Sequence, residues 1–203
     1  MEQNAASNVG SLMGFSVIDN IKAQLESICK QTASCADILT IAARDSVVTF
    51  LKKNLNTSGG NGNPANLDTM TNNTFDNAYY TNLLSQKGLL HSDQVLFNNG
   101  IADNTIRIFV TNLGGTSWTV SLGRRYSTTA SASLANSDLP GPGFSRSQLE
   151  VAFLKNLNTA DMAALSGAHT IGKARCSTFW TRIYSGDTNI NAAFATLLKA
   201  NCS

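Results

Sequence analysis

Histidine is scarce in this 203-residue chain, which has only His91 and His169. A three-histidine zinc site is therefore impossible, and no H-E-x-x-H pair exists to build a zinc protease. Charge is also thin: Asp, Glu, Lys and Arg make up 14% of residues, against about 25% in an average domain. The net charge of +2 comes with no basic stripe, which argues against a nucleic-acid partner, since such binding depends on neutralising phosphates. No apolar run approaches the roughly 20 residues of a membrane-crossing helix. The chain also lacks a G-x-S-x-G nucleophile elbow. Its run Gly59-Gly60-Asn61-Gly62 has no Gly-Lys-Ser/Thr ending for a phosphate loop, and no strand precedes it to make a dinucleotide fingerprint. The opening MEQNAASNVG has neither the basic start nor the apolar stretch of a secretory signal, so no export address is expected on the chain itself.

What is present is a 42% hydrophobic complement, enough for a core, with Asn, Ser, Thr and Gly supplying polarity of a kind that suits a secreted surface. Cys29, Cys35, Cys176 and Cys202 allow three full pairings, and none makes a C-x-x-C metal or redox pair. Asn56-Thr57-Ser58 and Asn72-Asn73-Thr74 fit the glycosylation acceptor pattern, which matters only on the secretory route.

Helical spacing dominates. Val17, Ile18, Ile21, Leu25 and Ile28 recur at three- and four-residue steps and predict a helix from Gly14 to Ile28 with a buried stripe. Ser34 and Asp37 make a capping box, opening a helix with Ile38, Leu39, Ile41 and Ala42 near its buried side. Residues 56–65, rich in Gly and Asn and holding Pro64, read as a linker. A helix is expected over 74–87, with Tyr79, Leu83 and Leu84 inward and a glycine C-cap at Gly88, and a weaker one over 104–111. Residues 118–122 alternate at period two and read as a short strand. Pro140 and Pro142 interrupt regular structure. Ser145 with Gln148 opens a helix through Phe153, and Thr159 caps another that carries Met162 and Leu165 toward His169. A last helix spans 189–200, with Ala193, Phe194, Leu197 and Leu198 buried. The sum is a mostly helical protein. Phe50-Leu51-Lys52-Lys53-Asn54-Leu55-Asn56-Thr57 returns, one Lys shorter, at 153–159; a single copied octamer reads more as a recombination scar than as a repeat architecture, with a chance duplication of helical polar residues as the alternative.

His169 lies among the small residues Ser166, Gly167, Ala168 and Gly172, which leave room for a flat ligand near the backbone. Alone, such a histidine more often serves as a hydrogen-bonded structural residue. The whole segment, however, resembles the proximal haem-ligand motif of the plant secretory (class III) haem peroxidases. Gly14-Phe15-Ser16-Val17-Ile18-Asp19, Ser34-Cys35-Ala36-Asp37-Ile38-Leu39, Ala42-Ala43-Arg44-Asp45-Ser46, Phe75-Asp76-Asn77-Ala78-Tyr79-Tyr80, Gly88-Leu89-Leu90-His91-Ser92-Asp93-Gln94 and Leu122-Gly123-Arg124-Arg125 are similar to the same family, so the resemblance covers most of the chain.

The resemblance implies an all-α, haem-peroxidase-like helical domain with at most a short β hairpin, incomplete because the distal helices are missing. It implies haem b and calcium as cofactors, hydrogen peroxide and small phenols as substrates, secretion, a role in the response to oxidative stress, and a monomer. Within it His169 is the axial iron ligand and Asp93 accepts a hydrogen bond from the other ring nitrogen, making the imidazole more basic. Ser11 and Pro140 join His169 as haem-binding positions. Thr170, Asp68, Thr71, Thr74 and Asp76 fall where the family holds its proximal calcium, a cation that takes several oxygen ligands. Cys176 and Cys202 match a family disulfide, while Cys29 and Cys35 match cysteines whose partners are not in the chain. Those two could pair with each other, stay free or cross-link chains. His91 falls at an ordinary loop position with no catalytic role.

The pattern also departs from the family. The distal Arg and His that cleave peroxide have no counterpart, so impaired activity is expected, and a non-catalytic haem- and calcium-binding relative is the alternative. Blocks 1–48, 58–112 and 113–203 of one domain stand in exchanged order, since the family would place 113–203 before 58–112, and the copied octamer lies at the junction. Met13 replaces a usual Arg, Asn72 a usual Pro in the calcium loop, and Tyr126 a usual Asp.

Overall fold

The computed structural model describes all residues except 1, 7, 11, 53–63, 113–118, 126–128, 154, 156 and 203, together with the backbone but not the side chains of 47–52, 64 and 112. Packing divides the chain into two compact units, Met1–Lys52 with Thr116–Leu139, and Lys53–Gly115 with Pro140–Ser203.

The first unit holds a 3-10 turn, Glu2–Asn4, and helices α1 (Phe15–Ile28), α2 (Cys35–Lys52) and α6 (Ala132–Asp138). The Ser34 and Asp37 capping box forms: Asp37 N–H donates to Ser34 Oγ at 3.1 Å and Ser34 Oγ–H to Asp37 Oδ2 at 2.9 Å. The other oxygen of Asp37 accepts the backbone N–H groups of Gly123 and Arg124. These bonds hold its carboxyl below the ordinary value although burial acts to raise it. Three expectations fail in this unit. Helix α1 forms, but none of its residues is buried; Val17 is 57% and Ile28 79% exposed. Helical spacing fixes which residues share a face, and only a partner can bury it. On α2, Ile38 is buried as expected but Leu39 is exposed. The expected strand over 118–122 is also absent: residues 119–122 are irregular, residue 118 lies outside the described set, and the segment ends on the Asp37 clamp rather than on a sheet.

The second unit contains α3 (Ala78–Leu84), α4 (His91–Gln94), α5 (Asp103–Asn112), α7 (Arg146–Phe153), α8 (Thr159–Ser166), a 3-10 turn (Gly167–Thr170), α9 (Cys176–Tyr184) and α10 (Ala192–Asn201). Its sheet pairs β1 (Pro64–Asn66) with β2 (Lys173–Arg175), antiparallel, with Ala65 opposite Ala174. The end of the expected linker is therefore strand. The partners lie about a hundred residues apart, a pairing no local pattern announces. Gly172, at φ 120°, turns the chain into β2, and its carbonyl accepts Leu67 N–H; a side chain there would be strained and would meet Leu67.

Helix boundaries shift for local reasons. Asn158, not Thr159, caps α8, in a reciprocal pair with Asp161. Ser145 and Gln148 open α7 as their spacing predicts. Helix α3 starts only at Ala78, because residues 71–77 form a turn whose Asp76 carboxylate accepts Ala78 N–H. It stops at Leu84 with Gln86 in the left-handed region, φ 55°, as Gln86 and Lys87 N–H bond back to the carbonyls of Leu83 and Asn82. Gly88 is not the cap. On α10, Phe194 and Leu198 are buried, whereas Ala193 and Leu197 are exposed.

Two apolar clusters form the core of this unit. One gathers Tyr79, Tyr80, Leu83, Val95, Leu96, Ile106, Leu149, Met162 and Ala163, and the other Leu89, Leu90, Phe179, Ile183, Phe194, Leu198 and Cys202. The Cys176–Cys202 disulfide ties α9 to the end of α10. Cys29 and Cys35 form no disulfide, and Cys29 carries an exposed thiol, so their pairing with each other is not adopted.

Candidate functional site

The site grows from the end of α8. That helix runs into the 3-10 turn bearing His169, and the turn packs closely because Gly167 has no side chain. A Cβ there would sit 2.1 Å from the Tyr80 hydroxyl, which itself donates to the Ala163 carbonyl at 3.1 Å. The tighter turn swings His169 toward α4, 76 residues away in sequence.

Asp93 waits on α4. Its Oδ2 accepts the backbone N–H of Leu90 at 3.3 Å, and its Oδ1 lies 2.7 Å from His169 Nδ1. A carboxylate only accepts, so Nδ1 carries a proton, and in the neutral ring the lone pair is left on Nε2. Asp93 is 2% exposed and the His169 side chain 37%. Burial alone would lower the imidazole's pKa, but the charge and hydrogen bond of Asp93 outweigh it and leave His169 above the ordinary histidine value. Tyr79 Oη–H donates to the same Asp93 Oδ1 at 3.1 Å, and its ring stands edge-on to the imidazole at 6.1 Å. Burial, reinforced by Asp93, pushes this phenol well above its usual value, so it stays a donor. The arrangement ties one ring nitrogen to a buried carboxylate, on a partly exposed imidazole whose other nitrogen can serve as a metal ligand.

Beside it is an oxygen-rich cluster. Asp68, fully buried, accepts Met70 N–H, Thr71 N–H and Asn82 Nδ2–H on Oδ1, and the hydroxyls of Thr71 and Thr170 approach its Oδ2 at 3.2 Å each. Asp76 Oδ1 lies 2.9 Å from the Thr71 hydroxyl, and Thr170 Oγ1 is 3.4 Å from the Thr74 carbonyl. Thus Asp68, Thr71, Thr74, Asp76 and Thr170 come together. Two carboxylates facing one Thr71 proton are short of positive charge, and the set is all hard oxygen, which suits calcium. Among the described residues no three His, Cys, Asp or Glu gather as a metal group, so hydroxyls and a carbonyl would have to complete any coordination.

Of the remaining expected positions, Pro140 is exposed ahead of α7 and Ser11 lies outside the described residues. His91 is engaged elsewhere: its Nδ1 is 3.0 Å from Asp187 Oδ2, to which Arg182 Nη1 donates at 2.8 Å. Burial would raise the Asp187 carboxyl, but these two partners hold it below the ordinary value. Sequence reasoning missed Tyr79 as a partner of Asp93 and Asn82 as a partner of Asp68. The available signal was a polar end on residues of an otherwise apolar helix face.

Comparison with known proteins then identifies the company this chain keeps. The family model described as Peroxidase matches in three segments, residues 1–61, 49–112 and 106–203. A protein named Peroxidase from Triticum aestivum is 57% identical over 203 residues, covering 100% of this chain and 45% of the relative. Peroxidase 1 of Hordeum vulgare is 48% identical over 204 residues, again 100% and 45%. Peroxidase 22.3 of Oryza sativa subsp. japonica is 45% identical over 202 residues, 99% and 44%. The chain thus spans a little under half the length of these curated relatives.

Proposed function

The chain belongs to the peroxidase family, and on that premise we propose that it binds haem b through His169 and serves the oxidation of small phenols by hydrogen peroxide. The observation that carries this reading is the 2.7 Å bond from His169 Nδ1 to a buried carboxylate, on an imidazole that stays partly exposed in a segment holding the small residues Gly167, Ala168 and Gly172. Haem, when bound, supplies the redox chemistry that passes oxidising equivalents from peroxide to the donor. The chain's own side chains do the rest. Asp93 fixes the ring's tautomer and orientation and makes the imidazole a stronger donor. Asp68, Thr71, Thr74, Asp76 and Thr170 would hold calcium, and Thr170, next to His169, would tie that ion to the ligand's position. His91, the other histidine, is paired with Asp187 and supplies no proton shuttle for peroxide cleavage. Turnover by this chain alone is therefore slower by roughly 10²- to 10⁴-fold than with a positioned acid–base pair.

By the same kinship we place the protein outside the cell, acting as a monomer; its Cys176–Cys202 bridge suits an oxidising compartment. We read its three matched segments as family blocks in exchanged order, 113–203 belonging before 58–112. Titrating the purified protein with haemin tests the central assignment. A Soret band that saturates at one haem per chain and is lost in His169→Ala is expected. Protein that stays colourless overturns the haem reading, and equal binding by the variant moves the iron to another ligand. Addition of peroxide and a phenol to the loaded protein then reads turnover directly.

A further inference from the structure

We propose that Tyr79 is a positioning residue for the His169–Asp93 pair: its hydroxyl donates to the same carboxylate oxygen that His169 uses and limits how strongly that oxygen draws the Nδ1 proton. The proposal rests on the haem reading only for its effect at iron, since the competition between donors belongs to the chain itself.

Three donors meet two oxygens on Asp93. Leu90 N–H takes Oδ2 at 3.3 Å, while Oδ1 receives both His169 Nδ1–H at 2.7 Å and Tyr79 Oη–H at 3.1 Å. An oxygen that accepts two bonds is a weaker acceptor for each, and in a buried site the difference is not diluted by water. Tyr79 is 1% exposed, so its hydroxyl has no solvent to turn to and must donate inside the protein. Tyr80 shows that this choice is specific. It is the next residue and equally buried, yet its hydroxyl goes to the Ala163 carbonyl and leaves Asp93 alone. Tyr79 therefore sets the share of proton that His169 keeps, and with it how electron-rich an imidazole Nε2 presents.

Proton NMR of the haem-free protein tests this without turnover. In Tyr79→Phe, which keeps the ring and its packing, the His169 Nδ1 proton moves downfield because Asp93 Oδ1 is left to His169 alone. In Tyr80→Phe it stays in place. With haem bound, Tyr79→Phe lowers the ferric/ferrous potential relative to the unmodified protein. An unmoved resonance in a folded Tyr79→Phe protein overturns the proposal, and a moved resonance with an unchanged potential overturns its link to iron. A moved resonance in protein that takes up no haem leaves Tyr79's role standing and overturns the haem reading instead. Should Tyr79→Phe not fold, uniform 3-fluorotyrosine labelling acidifies the hydroxyl while keeping it. The resonance then moves upfield, and a stationary one counts against the proposal.

Discussion

Replacing Asp68 with alanine measures the oxygen-rich cluster as a folding element. Five donor groups face the carboxylate, two of them hydroxyls with a second acceptor in reach, and its loss is felt unequally. Thr71 Oγ1 retains Asp76 at 2.9 Å and Thr170 Oγ1 retains the Thr74 carbonyl at 3.4 Å, so both hydroxyls keep an acceptor. Three N–H donors do not: Met70 N, Thr71 N and Asn82 Nδ2. Met70 is exposed and Thr71 half-buried, so water can reach their amides, while Asn82 is buried. An orphaned buried donor costs about 1–3 kcal/mol. Taking the upper end for Asn82 and the lower end for the two amides gives a loss of about 4 to 5 kcal/mol. Asp68→Asn keeps Oδ1 for those three donors and offers an amide to two hydroxyls that can rotate to accept it, so it costs about 1 kcal/mol. Urea unfolding of the haem-free protein in excess chelator, followed by the fluorescence of Trp180 in the same unit, reads both. A loss under about 1 kcal/mol for alanine, or equal losses for the two variants, would refute the hydrogen-bond accounting.

Three other outcomes are expected. Removing the Cys176–Cys202 bridge, which closes a sequence separation of 26, with a double Ser variant lowers stability by about 3.5 kcal/mol on loop entropy, checked by the same urea titration; an unchanged midpoint contradicts it. His169 has a raised pKa in the folded haem-free protein, so its stabilisation is complete below the unfolded histidine value of about 6.5 and is lost as pH rises through the folded value. Melting temperature across about pH 5 to 9 should fall in that upper interval, and Asp93→Asn should flatten the dependence. Gln86, held at φ 55°, pays for a left-handed conformation that glycine adopts freely, so Gln86→Gly raises stability by about 0.5–1 kcal/mol, where a loss would show that the Gln86 side chain has a contact of its own.

What could be read from the sequence was local. The Ser34/Asp37 and Ser145/Gln148 boxes formed because each needs only a three-residue spacing. Helix α1 was legible as a helix, and its exposure was not, because burial depends on what lies opposite. The cap of α8 was misread by one residue, since Thr159 and Asn158 are both good caps and only the reciprocal Asp161 decides. The pairing of 64–66 with 173–175, the turn of Gln86 and the joining of Asp68 to Thr170, 102 residues apart, carry no periodic signal. The His169–Asp93 pairing was anticipated through family resemblance and not from spacing, for nothing in a sequence separation of 76 brings the two together.

The support of that pair follows from where Asp93 sits. The segment from Gly88 to Leu96 spans both core clusters of its unit: Leu89 and Leu90 belong to one, Val95 and Leu96 to the other. Between them Gln94, fully buried, accepts Gly88 N–H and donates to the Leu83 and Phe97 carbonyls. Arg182, also buried, donates twice to the Gly88 carbonyl and is itself balanced by Asp187. A buried guanidinium and a buried carboxylate would each be costly alone, and here each is met by several partners: Gly88, Asp187 and Asn189 for Arg182, and Leu90, Tyr79 and His169 for Asp93. Gly88 is required for close approach, not for its dihedral freedom: a Cβ would meet Leu83 at 2.9 Å and Gln94 Oε1 at 3.0 Å. The turn that carries Asp93 is thus anchored by apolar packing at both ends and by polar clamps in its middle. That anchoring is what lets a single carboxylate hold an imidazole that is itself half-exposed, because orientation at such a site is only as good as the shell behind it.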